Sequence, residues 1–393
     1  MKKLLAGVLV FLGMAGCKAE ETKPFPNAAM VKRLDGSTIS EADIDRTVAR
    51  VMKAGKVTGT AIAILNDGKV VYLKAYGMRD TKNALTTDSV MSGASFTKVA
   101  FAYMVMQLVQ EGVLDLDKPI DQYLPKPLPD YGRYADLAGD QRYKKITSRM
   151  LLDHTSGFPN WRQFNDDRKL HIHFEPGSRY AYSGEGIALL QLVVEELTHK
   201  GLEELMQARV FGPLGMTRSS MTWSLKFEAN HAEGFAENEK SLGPQRRLRA
   251  DAAGSLLTTP ADFSKLVEAV LQGRGLKPET KNLMLSPQIA IDAKHQFPTL
   301  STETTEDNKG IRLSYGLAWG LYWTPYGKAF FKEGHDDGWR NYAVCFDEPK
   351  MGILIMTNSS NGEGIYKELL EALQKNTFTP VEWEGFTPYD AAK

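Results

Sequence analysis

Cysteine and histidine, two residue types that commonly bind metals or form cross-links, are scarce in this chain. Its 393 residues include two cysteines and seven histidines. Cys345 lies in an apolar run typical of a strand, where a lone thiol usually fills core space. The histidines are scattered, and the His-Ile-His stretch at 171–173 lacks the spacing of a known zinc motif. The sequence therefore predicts neither a metal centre nor a bound cofactor.

The chain also lacks an excess of charge of either sign. It has 48 basic and 48 acidic residues, and its formal net charge at pH 7 is zero. A nucleic-acid partner would need a basic excess or a basic stripe, so none is predicted. The remaining composition, 42% hydrophobic and 24% charged, is typical of a folded globular protein. The length allows a large core and two domains.

The apolar run at the N-terminus, residues 4–12, is too short to span a bilayer. Two lysines precede this run and small residues follow it, which is the layout of a signal peptide. The ending Met-Ala-Gly-Cys resembles a bacterial lipobox, so we expect residues 1–16 to be removed and Cys17 to be lipidated. A plain secretory signal with a chance cysteine is the alternative. A lipid on Cys17 would leave Cys345 without a disulfide partner.

This leader predicts where the protein works. Residues 17–37 are polar and contain proline, and they would tether a folded body to a membrane through the lipid anchor on Cys17. We therefore expect an exported lipoprotein that faces the periplasm or the cell exterior. In a Gram-negative host the outer membrane is expected, by analogy with lipoprotein sorting, because Lys18 rather than aspartate follows the cysteine.

Local patterns predict the first elements after the tether. Ser40 and Asp43 resemble a capping box for a helix that ends near residue 53. Two runs typical of strands, 58–65 and 69–77, flank an Asn-Asp-Gly sequence, which predicts a hairpin. A helix is predicted within residues 93–112, ending at Gly112. Between Phe96 and Val109 it is apolar almost all the way round, so it should be buried on most faces.

The rest of the chain divides into a helical middle and a strand-rich last quarter. Helical patterns occupy 147–154, 186–199 and 202–210, strand patterns occupy 315–323, 328–334, 339–346 and 351–358, and a last helix is predicted at about 364–374. Strands at both ends around a helical middle predict an α+β fold, with one central antiparallel sheet flanked by helices and an inserted, mainly helical domain.

We assign the domains from this pattern. The predicted parts are a discontinuous α/β domain made of 38–118 and 251–376, an inserted domain of 119–250, and a C-terminal tail of 377–393. A cleft is expected between the two domains.

Ser95 and Lys98 form the only Ser-x-x-Lys pattern in the chain. Three residues apart on a helix, their side chains lie one turn apart on the same face. Ser95 precedes the buried helix, where main-chain amides favour a developing negative charge. A desolvated lysine has a lowered pKa and, once neutral, can take the proton of the serine hydroxyl. The alternative is an N-cap serine and a lysine whose ammonium reaches solvent.

Further motifs follow this pair in a fixed order. They are GVLDLDKPIDQYLP at 112–125, MLLDHTSGFPNW at 150–161, FEPGSRYAYSGEGIALL at 174–190, FGPLGMTRSSM at 211–221 and FKEGHDDGWRNYAVCFDEPKMGILIMTN at 331–358. Together with SFTK at 95–98 they resemble the serine β-lactamase and penicillin-binding-protein family, most closely its class C β-lactamase, DD-peptidase and esterase branch. The resemblance covers nearly the whole mature chain and implies a β-lactamase/transpeptidase-like fold.

The resemblance also implies roles for individual residues. Ser95 would be the acylated nucleophile and Lys98 its partner in proton transfer. Tyr182 stands at the family tyrosine, which shuttles a proton, and two flanking cations favour its ionised form. Lys332 and Gly334 stand at the Lys-x-Gly strand. The main-chain amides of Ser95 and His335 would form the oxyanion hole.

Three departures from the family pattern bear on specificity. Gly184 stands where the family usually has asparagine, so one side-chain amide is missing. Glu333 replaces threonine and should point away from the cleft, because successive strand residues alternate faces. Asp336 and Asp337 stand where the family has small neutral residues, and they would repel a substrate carboxylate.

The sequence therefore predicts an exported serine hydrolase of esterase or peptidase type, acting on a small ester, amide or peptide through an acyl-enzyme on Ser95. A β-lactamase or D-alanyl-D-alanine carboxypeptidase is one alternative, disfavoured by the acidic pair. A non-catalytic binder that keeps the cleft is the other alternative, favoured only by the missing asparagine. The sequence does not predict the oligomeric state.

Overall fold

A computed structural model describes residues 27–391. Within this range the chain forms fourteen strands. They are β1 (Met30–Lys32), β2 (Thr38–Ser40), β3 (Gly59–Asn66), β4 (Lys69–Gly77), β5 (Met91–Ser92), β6 (Gly234–Phe235), β7 (Ser241–Gly243), β8 (Leu257–Thr258), β9 (Ile289–Ala290), β10 (Ser314–Tyr315), β11 (Gly320–Thr324), β12 (Gly327–Asp336), β13 (Trp339–Phe346) and β14 (Met351–Thr357).

The same range contains eight α-helices and several single turns of 3₁₀-helix. The helices are α1 (Glu41–Ala54), α2 (Phe96–Gln110), α3 (Ser148–Leu152), α4 (Gly184–Thr198), α5 (Leu202–Met206), α6 (Pro260–Gln272), α7 (Pro278–Met284) and α8 (Tyr366–Gln374). None of the helices between residues 27 and 391 is long and apolar enough to cross a membrane.

Eight strands form one antiparallel sheet in the order β4-β3-β14-β13-β12-β11-β10-β9. Strands β3 and β4 come from the first part of the chain, and the others follow residue 288. The two parts join where β3 pairs with β14, for example where Ile62 faces Ile355. The predicted fold class, with one antiparallel sheet built from both ends of the chain, is therefore confirmed.

The central strands are buried on both faces because helices cover the sheet on each side. Along β14, Leu354 and Met356 pack in the core that contains α2 and α6. The alternate residues Ile353 and Ile355 pack in the core that contains α1 and α8. This period of two explains why β13 and β14 read as continuous apolar runs instead of alternating ones.

Local sequence signals account for the elements around this core. Ser40 accepts a hydrogen bond from the main-chain N–H of Asp43 at 3.1 Å and so caps α1 as predicted. The hairpin between β3 and β4 turns at Asp67 and Gly68, whose positive φ angles of 51° and 75° suit a type I′ turn. Helix α2 is buried on most faces, also as predicted.

The predicted strand at 315–323 is wrong in its continuity. Residues 316–319 form a turn between β10 and β11, in which Ala318 has a φ of 69° and the N–H of Gly316 donates to the carbonyl of Trp319. The main-chain amides of Leu317 and Ala318 donate to Met284 and Leu152 instead of to a neighbouring strand. Apolar alternation does not reveal such a turn, because its side chains are as buried as those of a strand.

The chain after α8 returns to the sheet. Val381, Trp383 and Phe386 pack in the same core as α1 and α8. From the sequence, residues 377–393 were predicted only to form a C-terminal tail. It nevertheless carries Glu384 into the cavity described next.

Candidate active site

Ser95 stands at the end of a tightly held turn that leads into α2. Ala94 adopts a φ of 45°, which is uncommon for a residue with a side chain and stores strain. The turn is held by main-chain hydrogen bonding of Gly93 to Leu256 at 2.7 Å and by Asn341, whose Nδ2 donates to the carbonyl of Ser92 at 3.0 Å. Ser95 is thereby fixed at the wall of a cavity.

Lys98 lies directly beside the Ser95 hydroxyl. Its Nζ is 2.9 Å from Ser95 Oγ and 2.6 Å from the carbonyl oxygen of Ala253. The side chain is 1% exposed. Burial, and to a smaller extent the charge of Lys332, lower the pKa of Lys98 to about 7, although the charges of Asp251 and Glu333 partly oppose the change. A substantial fraction of Lys98 is therefore neutral near pH 7 and able to accept the serine proton.

Tyr182 completes this group from the loop that precedes α4. Its hydroxyl accepts a hydrogen bond from Lys332 Nζ at 3.1 Å, and Lys98 Nζ lies 5.0 Å from the centre of its ring. Burial and then the negative charge of Glu333 raise the pKa of Tyr182 well above its usual value, while hydrogen bonding to Ser95 lowers it less. The prediction of an ionised Tyr182 is therefore wrong, and the tyrosine is a proton donor.

The predicted direction of Glu333 is also wrong. Its carboxylate lines the cavity, and its Oε1 is 2.5 Å from Lys332 Nζ and 3.2 Å from Gln296 Nε2. Lys332 is 1% exposed, so it contacts Tyr182 and Glu333 and not solvent. Strand alternation determines where each Cβ points, but the attraction between opposite charges in a buried region brings the ends of long side chains together.

Gly334 allows β12 to approach the nucleophile turn. A Cβ at this position would lie 2.7 Å from the carbonyl oxygen of Gly93, which is too close for any side chain. The next residue, His335, is exposed at the cavity wall, and its Nδ1 is 2.7 Å from Glu363 Oε1. Strand β12 and the turn before α2 therefore meet at Ser95, as an oxyanion hole made of their main-chain amides requires.

The two predicted specificity acids behave differently. Asp336 lines the cavity, but it forms an ion pair with Arg247 and accepts a hydrogen bond from Gln245 at 2.9 Å. Asp337 is exposed and lies in a separate surface depression beside Ala236 and Ser360. The predicted repulsion by this pair is wrong, because Asp336 is neutralised by a residue distant in sequence and Asp337 faces elsewhere.

Trp161 fills the space left by the missing asparagine. A Cβ on Gly184 would lie 2.7 Å from the Trp161 indole ring, so a larger residue there would have to displace Trp161. The Gly184 N–H donates to Asn160 Oδ1 at 3.0 Å, and Arg162 forms a two-pronged ion pair with Glu185 at 2.9 and 2.8 Å. These contacts hold Trp161 and Asn160 against the start of α4, where both line the cavity.

The ring of His154 packs against the ring of Tyr182. The ring centres of the two residues are 4.4 Å apart, and His154 Nδ1 accepts a hydrogen bond from the Ser183 N–H at 3.2 Å. Burial lowers the pKa of His154 well below its usual value, so the ring is neutral. Its position after α3, with Gly157 at a φ of 84°, fits the predicted helix end.

These residues surround a cavity of about 1060 Å³. Many residues that line this cavity were not predicted from the sequence, namely Asn160, Trp161, Phe164, Arg246, Arg247, Leu248, Arg249, Asp251, Ala253, Gln296, Phe297, Glu363, Glu384 and Phe386. Asn160 and Trp161 are the last two residues of the motif MLLDHTSGFPNW, which was a usable signal. The others come from regions without a motif.

The two cysteines and the possibility of a metal site remain to be located in the structure. Cys345 is fully buried in β13, as expected of a core thiol. Cys17 lies outside the described residues. Among residues 27–391, no three His, Cys, Asp or Glu side chains are grouped so that they could hold a metal ion.

The chain is similar in sequence to a known protein family and to several characterised proteins. A family model described as Beta-lactamase matches residues 44–375. Acyltransferase mokF of Monascus pilosus is 25% identical over 338 residues, which cover 72% of this chain and 81% of the relative. Teichoic acid D-alanine hydrolase of Staphylococcus aureus is 26% identical over 249 residues, which cover 61% of this chain and 58% of the relative.

Two solved structures share the fold. The octameric penicillin-binding protein homologue from Pyrococcus abyssi superposes with a TM-score of 0.67 at 22% identity, covering 86% of this chain and 80% of that chain. D-alanine carboxypeptidase AmpC from Burkholderia cenocepacia superposes with a TM-score of 0.66 at 21% identity, covering 84% of this chain and 96% of that chain. The chain belongs to the Beta-lactamase family and is a serine hydrolase of the β-lactamase and penicillin-binding-protein type.

Proposed function

We propose that this protein is an exported hydrolase that cleaves an ester or amide through an acyl-enzyme on Ser95. One observation carries the proposal: Lys98 Nζ lies 2.9 Å from Ser95 Oγ in a buried position that brings its pKa to about 7. A neutral amine in hydrogen-bonding contact with a hydroxyl is the arrangement that activates a serine nucleophile.

In the acylation step, Ser95 Oγ bonds to the substrate carbonyl carbon as its proton passes to Lys98. The carbonyl oxygen becomes an oxyanion and accepts hydrogen bonds from the main-chain amides of Ser95 and His335. The bond to the leaving group then breaks, and Tyr182 donates the proton that the leaving group needs. Lys98 returns the proton it received to Tyr182, so the charge of the site is restored.

In the deacylation step, water attacks the acyl carbon on the side that the leaving group vacated. The water proton passes to Lys98 as the new C–O bond forms. When the bond between Oγ and the acyl carbon breaks, Lys98 passes that proton to Ser95 Oγ and the acid is released. Lys332 stays charged throughout because Glu333 lies 2.5 Å away, and it holds the Tyr182 hydroxyl in place.

The charge of Glu333 favours an ester or amide without a carboxylate over a β-lactam or a D-alanine-terminated peptide. Both of the latter present a carboxylate to the Lys-x-Gly strand, where Lys332 already pairs with Glu333. A second carboxylate about 5 Å from Glu333 would be opposed by on the order of 1–3 kcal/mol. Glu333 therefore takes the role of repelling a substrate carboxylate that was predicted for Asp336 and Asp337.

A non-catalytic binder is the weaker alternative. The missing asparagine at Gly184 was its main support, but Asn160 brings an amide side chain to the same cavity wall. A binder would also have no need to keep the lysine beside Ser95 free of a contacting carboxylate.

Acyl transfer to an alcohol is a second candidate reaction. Similarity to acyltransferase mokF over 72% of this chain favours it, and so does a cavity of about 1060 Å³, which has room for an acceptor beside the acyl group. Adding a primary alcohol to the ester assay and measuring the new ester by mass spectrometry separates the two reactions. Hydrolysis predicts the free acid as the main product.

Labelling with a fluorophosphonate, followed by intact-mass spectrometry, tests the proposed nucleophile. The unaltered protein should gain one phosphonyl group and lose activity on p-nitrophenyl esters. Ser95→Ala should do neither and should remain folded, since the Ser95 side chain makes no capping hydrogen bond to α2. Ser178→Ala, at an exposed serine, is the matched control. Full ester turnover by Ser95→Ala would disprove the acyl-enzyme.

We further propose that a lipid on Cys17 anchors the protein to a membrane, facing the periplasm or the cell exterior. The lipobox-like ending of the leader supports this proposal. Cys17→Ser should release the protein in soluble form or leave the leader unprocessed in cell fractionation. An unchanged membrane fraction with a normally processed N-terminus would place the anchor elsewhere.

A further inference from the structure

One acidic side chain in the cavity has no part in the mechanism above. Glu384 comes from the segment after α8 and is 5% exposed. Its Oε2 accepts a hydrogen bond from the Tyr342 hydroxyl at 2.9 Å, but its Oε1 has no partner among the described residues. A buried carboxylate oxygen without a donor is costly, so its presence at a cavity wall calls for a ligand that supplies one.

Two more acceptor groups line the cavity with it. Glu333 is 5% exposed, and Gln296 is 2% exposed with an Oε1 that has no partner among the described residues. We call Glu333, Glu384 and Gln296 the acidic recess. Lys332 forms its ion pair with Glu333, and no cationic side chain between residues 27 and 391 forms one with Glu384. Burial and then the charge of Glu333 raise the pKa of Glu384 well above its usual value, which shows that negative charge in the recess is costly without a cation beside it.

We propose that the acidic recess binds an ammonium group of the substrate, which makes the enzyme selective for cationic esters or amides. This inference rests on the proposed function, because the selected substrate is the one cleaved at Ser95. An ammonium group offers positive charge and only hydrogen-bond donors, which matches unpartnered acceptors and an unpaired acid. A neutral alkyl group would leave those acceptors unsatisfied.

The recess also limits how far the ammonium lies from the bond that breaks. Glu333 contacts Lys332 at 2.5 Å, and Lys332 contacts the Tyr182 hydroxyl at 3.1 Å. Tyr182 serves the leaving group, so the recess is close to the reacting atoms. The geometry points to a spacer of a few atoms, as in an amino-acid ester or in an ester of an amino alcohol.

Two matched substrate pairs test the inference and distinguish the two sources of the ammonium. On the acyl side, alanine methyl ester, in both enantiomers, is compared with methyl isobutyrate, which replaces the ammonium by a methyl group. On the leaving-group side, 2-(dimethylamino)ethyl acetate, whose protonated amine carries an N–H donor, is compared with 3-methylbutyl acetate, which replaces that N–H by C–H. We expect kcat/KM to favour the charged member by about tenfold or more in one pair, as a charge-assisted hydrogen bond suggests.

Variants connect that preference to the recess. Glu384→Gln, which keeps an acceptor for Tyr342, should reduce the charged-to-neutral ratio at least about fivefold. Gln296→Met removes a neutral acceptor and should reduce it less. Glu382→Gln makes the same charge change at an exposed position of the same segment and should leave the ratio unaltered. Equal kcat/KM values within both pairs, or an unchanged ratio in Glu384→Gln, would overturn the inference.

A binding measurement separates this inference from the proposed reaction. Calorimetry with alaninamide and with 2-(dimethylamino)ethanol, against isobutyramide and 3-methylbutan-1-ol, is performed on Ser95→Ala, which cannot turn over. Selective binding of a cation that weakens in Glu384→Gln supports the recess even if the enzyme cleaves no ester. Absence of cation binding overturns the recess while ester cleavage and labelling of Ser95 still support the acyl-enzyme.

Discussion

Two lysines meet at this site, and their different partners give them different properties. Lys98 and Lys332 are each 1% exposed, and burial lowers the pKa of both. Lys98 contacts a hydroxyl and a carbonyl oxygen, and its pKa falls to about 7. Lys332 contacts the Glu333 carboxylate, which opposes the effect of burial. A contacting carboxylate therefore decides whether a buried lysine acts as a base or as a fixed charge.

Removing the proposed base should have the largest effect. Lys98→Ala should lower kcat/KM for a p-nitrophenyl ester on the order of a hundred- to ten-thousand-fold, the usual contribution of a general base. The exposed Lys69→Ala is the control and should keep full activity. The double variant with Ser95→Ala should be no worse than Ser95→Ala alone, because the two residues act as a unit. A loss of less than about tenfold in Lys98→Ala would assign the proton to another group.

Disturbing the contact between β12, which carries Lys332, and the turn before Ser95 should have the next largest effect. In Gly334→Ala the new Cβ would lie 2.7 Å from the Gly93 carbonyl oxygen, so β12 must move away from Ser95. We expect kcat to fall about a hundredfold, as displacements of about 1 Å do, while the protein loses about 1–3 kcal/mol of stability. Thermal unfolding and ester kinetics measure both. Gly310→Ala, where a Cβ meets nothing within 4 Å, should change neither.

Releasing Lys332 from its partner should change substrate selection. Glu333→Thr frees the ammonium for a substrate carboxylate, so kcat/KM for a chromogenic cephalosporin should rise relative to a neutral ester. A gain of about five- to a hundredfold corresponds to the 1–3 kcal/mol of removed repulsion. Asp337→Asn, at an acid outside the cavity, should leave the ratio unchanged. Cephalosporin turnover by the unaltered protein that matches its best ester would show that Glu333 does not exclude anions.

The smallest expected effect is on the pH dependence of kcat/KM, which directly tests the different properties of Lys98 and Lys332. Lys98 acts in its neutral form, so kcat/KM should rise with pH through about 7. Glu333 raises the pKa of Lys98, and its removal must lower that pKa. The midpoint of the rise should therefore move to lower pH in Glu333→Gln and stay in place in Glu382→Gln. A midpoint that moves to higher pH would contradict the assignment of the base.

Much of the fold could be predicted from short-range patterns. The cap at Ser40, the hairpin at Asp67 and Gly68, and the buried helix after Ser95 all follow from residues within one turn of each other. The turn within 316–319 could not be predicted in this way. Its amides bond to Met284 and Leu152, which are distant in the chain, and its buried side chains look like those of a strand.

In the candidate site, too, some contacts depend on nearby residues and others on residues distant in the chain. The contact between Ser95 and Lys98 needs only a helix and a buried position, and the sequence indicated both. The indole of Trp161 over Gly184 and the ion pair of Asp336 with Arg247 join segments that no local pattern connects.

The sequence by itself determined the family, the sheet and the serine–lysine pair, because hydrophobic periodicity and helical spacing act over a few residues. Only the tertiary structure decided the protonation of Tyr182, the direction of Glu333 and the presence of Glu384 in the cavity. Each of these depends on charges and desolvation contributed by distant segments. Electrostatic effects in a buried site act through space, so they become defined only when the chain has folded.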